Sequence, residues 1–172
     1  MILLLKARAD GWTPPTPAQA VAGNYAKPRI VWNGLKIAIE NPAGTVREGV
    51  DEGGRAWRTE FAYAYGEVTG TEGADGDPVD VFMGPDDSAP EVYVVRQMKR
   101  KNWDQFDEDK CFLGFGSMAD AKAAYLAHYD DPRFFGSIIA MPRDEFIAKV
   151  RATAKHPGML KSVLFMRRAT SR

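Results

Sequence analysis

Through most of the first 115 residues the apolar positions alternate with polar ones at a period of two, in short runs broken by Gly, Asp, Asn and Pro. "RIVWNGLKIAIEN" holds two such runs separated by Asn33-Gly34, the pair that best fits a two-residue hairpin turn. "RAWRTEFAY", "GEVTG", "PVDVFM", "EVYVVRQM" and "KCFLGF" predict further strands. The period changes after Gly116. "SMADAKAAYLAHY" opens with Ser-x-x-Asp and carries apolar residues at helical spacing, and "PRDEFIAKVRATAK" predicts a second helix that begins with Pro and acids. "GSIIAM" between them predicts one more strand. Strands first and helices afterwards predict an α+β domain built on a small OB-like closed or nearly closed β-barrel, with two helices following in sequence.

The ends read differently. Residues 1–28 form a Pro-rich arm, with Thr16 and Pro17 suited to cap and start a short helix. Residues 29–156 form the main domain, and 157–172 a basic tail with Lys161, Arg167, Arg168 and Arg172. "MILLL" is too short to serve as a signal-peptide core or a membrane span, so a cytoplasmic location is expected.

Composition narrows the function little. Lys plus Arg and Asp plus Glu stand at 23 each among 172 residues, a balance that favours neither nucleic acid nor a membrane surface. The single Cys111 excludes an internal disulfide and a cysteine zinc cage, and its apolar setting reads as a buried small side chain. His128 and His156 lack a partner at ligand spacing. The tryptophans read as packing residues rather than a base-stacking platform, and Lys99–Lys101 as a solvated loop.

The unusual chemistry lies in "DGDPVD", residues 75–80. Gly76 opens backbone conformations closed to other residues, and Pro78 restricts Asp77, so Asp75 and Asp77 are held. Asp80 alternates with Val79 and Val81 and shares the face of Phe82. The plainer reading is a solvated Asp turn whose side chains bond their own backbone. The sharper one is a cage for a hard divalent cation, which takes carboxylates plus substrate phosphates. An EF-hand loop is excluded by its glycine position, closing Glu and flanking helices, none of which occur here. A second acidic group, Asp104, Asp107, Glu108 and Asp109, lies between two predicted strands. Glu40 ends a strand, and Arg47, Arg55, Arg58, Tyr63 and Tyr65 are near in sequence. Carboxylates for metal, arginines for phosphoryl oxygens and tyrosines as donors make a coherent set for phosphoryl chemistry.

The order I-x-I-E-x-P, an arginine, W-R, A-Y-G and, ten residues after that tyrosine, D-G-D-P-V-D-V resembles the soluble family I inorganic pyrophosphatases. The resemblance runs on through "WDQFDEDKCFLGF" to "AHY", over roughly residues 36 to 130. The wording "GNY", "IENP" and "GTEGADGDPVDVFMGP" is most similar to the pyrophosphatase-like domain of phage and mobile-element proteins. The resemblance implies Mg²⁺-dependent hydrolysis of pyrophosphate with two or more ions. It makes Asp75, Asp80, Asp104 and Glu108 metal ligands and gives Glu40 metal-bound water. It makes Asp77 the acceptor of the attacking water's proton, and Arg47, Arg58, Tyr65, Lys110 and Tyr129 phosphate contacts.

Three departures stand out. Asp130 replaces a family lysine, and Gly49 replaces a carboxylate. The step from Asp104 to Glu108 is one residue short, which leaves Asp107 and Asp109 as alternative ligands. The competing functions are a non-catalytic, virion-associated phosphate-binding module and a hydrolase of another phosphoanhydride such as a nucleotide. A homo-oligomer or a phage structural partner stays open, and no membrane partner is expected.

Overall fold

Asn33 and Gly34 adopt φ of 45° and 82°, the left-handed pair that matches the twist of two antiparallel strands, and so join β1 (Arg29–Trp32) to β2 (Leu35–Asn41) as the sequence predicts. The structure, a computed structural model, describes residues 12–51 and 53–156, without the side chain of Val21. The first eleven residues of the expected arm and the expected basic tail lie outside the described residues.

After β2 come β3 (Val46–Val50), β4 (Ala56–Glu60), β5 (Ala64–Val68), β6 (Asp80–Met83), β7 (Glu91–Lys99) and β8 (Asn102–Leu113). β9 is Phe135–Pro142, and the helices are α1 (Pro17–Ala22), α2 (Met118–His128) and α3 (Arg143–Thr153). The fold is therefore α+β. Its main sheet has seven strands in the order β1-β2-β5-β6-β8-β7-β9, with β6 and β8 parallel, and β3-β4 forms a separate hairpin. No ladder joins β1 to β9 among the described residues, so the sheet is open and closure into a barrel is not observed; an OB-like arrangement is compatible with this order.

Alternation along the strands sorts the core onto two faces. On one face Ile37, Ile39, Val81, Val92, Val94, Cys111 and Leu113 pack under Phe146 and Val150 of α3. On the other, Phe82, Tyr93, Val95 and Phe112 pack under Ala121, Ala124 and Tyr125 of α2. Cys111 is fully buried, as its apolar setting predicts, and burial pushes its thiol pKa up. Ser117 caps α2 by accepting from the Asp120 N–H at 3.1 Å. Thr16 and Gln19 form a reciprocal cap on α1, with Pro17 at its first position. None of these helices is long and apolar enough to cross a membrane.

The observed strands depart from the expected pattern. "RAWRTEFAY" splits at Phe61, which is buried and exchanges backbone hydrogen bonds with Gly44 and Thr45, so β4 leaves the main sheet and β5 starts at Ala64. β3 escaped the pattern because its residues are largely exposed and offer no alternation to read.

Where β2 meets β5 the register slips between Ile39 and Asn41, leaving Glu40 as an extra residue. The strands approach so closely there that a Cβ on Gly66 would lie 2.2 Å from the Ala38 carbonyl oxygen. Gly66→Ala should therefore cost about 1–3 kcal/mol or more, measured by urea unfolding. Wild-type stability in that variant would show that this contact yields easily.

Candidate active site

Lys110 stands at the centre of the polar residues on the α2 face. It shares the face of Phe112 on β8 and pairs in register with Asp80 on β6. Its ammonium is buried and donates to Asp80, to Glu108 at 2.8 Å and to the Tyr65 hydroxyl at 3.1 Å. Burial opposes its charge, yet Tyr65, Tyr129, Asp80 and Glu108 outweigh that and hold its pKa well above the ordinary range. Glu108 behaves oppositely. Burial first, and then Asp80's carboxylate, overcome the attraction of Lys110 and raise Glu108 to about 8. Two acids thus share one ammonium, and the second keeps its proton near neutrality.

Glu108 is aimed by a second bulge. Arg96 pairs with Asp109 and Met98 with Phe106, so Asp107 and Glu108 together face Gln97. Gln97 donates to Glu108 at 2.8 Å and accepts from the Tyr125 hydroxyl at 2.9 Å, and Tyr129 stacks on Tyr125 with ring centroids 4.3 Å apart. Burial raises the Tyr129 pKa, and Glu108, Asp80 and Asp107 act on it in the same direction. Sequence alone did not single out Gln97, whose signal is the strand face it shares with Tyr93 and Val95.

The acidic turn docks at this site. Gly76 takes φ 93°, the Gly73 N–H donates to the Asp77 carbonyl at 2.6 Å, and the Asp77 N–H donates to Asp75 Oδ1 at 3.2 Å. The plainer reading of the turn is thus observed locally. The same turn also carries Asp75 to the wall of a recess of about 10 Å³ that it shares with Asp80, Glu108 and Asp109. Asp77 is exposed beside it. Asp104 is not brought there: it shares the face of Phe106, over which Arg96 lies at 4.5 Å, and it is exposed. Among the described residues no three acidic, Cys or His side chains converge as a metal-binding group. Oxygen donors around the recess still suit a hard cation, and the Lys110 ammonium already occupies the space between two of them.

Two further clefts hold the arginines of the expected set. In one, of about 440 Å³, Arg47 and Glu40 meet Lys27, Tyr25 and the arm residues Pro14 and Pro15. Lys27 binds Glu40 at 2.6 Å and Glu67 at 3.2 Å, and Glu67 pairs in register with Asp80. A polar seam therefore runs from Glu40 through Lys27 and Glu67 to Asp80, Lys110, Glu108 and Gln97. Glu67 shares a strand face with Tyr65, a period-two signal that could have found it; Lys27 has no such signal.

In the other cleft, of about 420 Å³, Arg58 and Tyr129 meet Arg55, Arg100 and Asp130. Arg47 and Arg58 stand on opposite faces of the β3-β4 hairpin, because Arg47 pairs with Thr59 and Glu48 with Arg58. Trp57 lies across Gly49, where a Cβ would come within 2.7 Å of its ring, and the Arg47 guanidinium sits 5.8 Å from that ring's centre.

The sequence profile of a family described as inorganic pyrophosphatase matches residues 17–151, starting inside the expected arm. No curated protein matches the chain. Among solved structures, an inorganic pyrophosphatase from Coxiella burnetii aligns at 16% identity and a TM-score of 0.38, over 69% of this chain and 92% of that one. The profile spans well over half of the sequence: the chain belongs to the inorganic pyrophosphatase family, a family of diphosphatase hydrolases.

Proposed function

We propose that the protein hydrolyses inorganic pyrophosphate to two phosphates with Mg²⁺, in the cytoplasm. The observation that carries this reading is the buried Lys110 ammonium shared by Asp80, Glu108 and Tyr65 beside the "DGDPVD" turn. Asp75, Asp80 and Glu108 would hold the ions, with Asp107 on the bulge or Asp109 just after it as an alternative and Glu40 at the edge through water. Asp104 would join only if the β7–β8 hairpin turned over, since it stands on the opposite face. Bound there, Mg²⁺ supplies neutralisation of phosphate oxygens and a water of lowered pKa.

The chain's own groups do the rest. Asp77, exposed on the rigid turn, accepts the attacking water's proton. Lys110 and Tyr65 donate to phosphate oxygens from inside the site, and burial keeps the Tyr65 hydroxyl protonated and able to donate. Arg47 reaches the substrate from the cleft that holds Glu40, while Arg58 and Tyr129 reach it from the other side. Lys110 and Tyr65 beside the acidic turn, with arginines in two clefts, suit a compact, multiply charged anhydride. A degenerate, non-catalytic site of phage type is the competing reading, motivated by Asp130; it binds Mg-pyrophosphate without releasing phosphate.

Free phosphate should appear from pyrophosphate only with Mg²⁺, stop on chelation, and slow by roughly 10²–10⁴-fold in Asp77→Asn. Metal-independent release, or an unimpaired variant, sinks the assignment. Tripolyphosphate and nucleotides run in the same assay decide the substrate among phosphoanhydrides.

A second expectation concerns the metal-free protein. Folded Glu108 keeps its proton up to about 8, whereas the unfolded chain loses it near the ordinary carboxylate pKa of about 4.3. Between those values the native state binds more protons, so stability falls as pH rises. Glu108→Gln should flatten that fall, seen as a smaller drop in Tm between pH 5 and pH 8 with chelator present. An identical Tm slope in the variant contradicts the raised Glu108.

A further inference from the structure

Asp130 is the least expected residue beside the site, an acid directly after Tyr129 where a phosphate contact is anticipated. The structure gives it a specific task. Its Oδ1 accepts from Arg100 Nη2 at 2.8 Å, and its Oδ2 faces Arg55 Nη2 at 3.3 Å. The three residues come from three separate parts of the fold: the end of α2, the β7–β8 turn and the lead into β4. Arg100 is further located by Phe134, whose ring centre lies 4.9 Å from its guanidinium.

We propose that Arg55 and Arg100, held together by Asp130, form a cationic subsite for the terminal phosphate group of a phosphoanhydride; this rests on the hydrolase reading above. Stability does not explain the arrangement. The arginine side chains are 67% and 43% exposed, and exposed ion pairs contribute little. Each guanidinium has five N–H donors and makes one contact with Asp130, so the fork keeps donors for phosphate oxygens. Both arginines line the cleft of about 420 Å³ with Arg58, Thr59 and Tyr129. Asp51, the other acid on that wall, is engaged with its own turn, accepting from the Gly53 and Arg55 N–H groups at 2.9 Å each. With Arg55, Arg58 and Arg100 against Asp51 and Asp130 the wall is net cationic, and Asp130 brings two positive groups to a place where, alone, it repels phosphate.

His128 is a further polar group beside the arginines. It lines the same cleft and is only 6% exposed. Its Nδ1 lies 2.6 Å from the Ala124 carbonyl, which can only accept, so Nδ1 carries the proton and Nε2 is a bare acceptor. That Nε2 is buried and has no hydrogen-bond partner among the described residues, and the ring packs against Phe61 and Phe82. Burial lowers the imidazole pKa and favours the neutral ring.

Steady-state phosphate release from Mg-pyrophosphate tests the subsite. Arg55→Gln with Arg100→Gln should raise KM by roughly tenfold or more, while kcat stays within about threefold. Adding Asp130→Lys to that pair should recover most of the loss. Asp130→Asn should raise KM, and Asp130→Glu should leave it near wild type. An unchanged KM in the double variant, or no recovery with lysine, overturns the proposal.

Calorimetry of methylenediphosphonate with the full chain in chelator gives an answer even if the wild type releases no phosphate. Binding lost in the double variant supports the subsite. Equal binding in both proteins, or none to the wild type, removes it.

Discussion

The buried ammonium of Lys110 is the constraint around which the polar face is arranged. A lone charge at that depth is costly, and removing its partners leaves it uncompensated. Asp80, Glu108 and Tyr65 must therefore converge, and they come from three different strands. The parallel pairing of β6 with β8 sets Asp80 opposite Lys110, and the antiparallel pairing of β5 with β6 sets Tyr65 opposite Phe82, one step away on the same face. The apolar layer under α2 excludes water from one side of this cluster, which is why Glu108 holds its proton so far above the usual range.

Irregular strand pairing then aims the acids. An uninterrupted β2 would alternate Glu40 strictly with Ile39 and Asn41; the slip against β5 releases it toward Lys27. On β8 the doubled position opposite Gln97 sends both Asp107 and Glu108 toward the tyrosines and turns Asp104 away. Bulges of this kind often re-aim side chains beside functional sites. Here they let a regular sheet present a cluster of charge without giving up its two apolar layers.

Much of this was readable in the residue order, and the misses have physical reasons. Asn33-Gly34, the α2 and α3 periodicities and the alternation of Asp80 with Phe82 are local signals, and the structure follows them. The acidic run 104–109 looked like a connection, yet it is strand: pairing with β7 decides its conformation, and its bulge is a two-strand property that no single strand encodes. Lys27 and Gln97 gain their roles from partners 13 and 11 residues away. Arg100 gains its role from one 30 residues away. The DGDPVD turn was legible as chemistry, and its docking beside Glu108 depended on the sheet order.

Trp57 resting on Gly49 couples the two positions. The indole fills the volume that any side chain at 49 would need, so with the ring in place an acid there has nowhere to go. Positions 49 and 57 are thus locked as a pair. A side chain introduced at 49 therefore displaces the indole, and with it the aromatic surface beside which Arg47 lies.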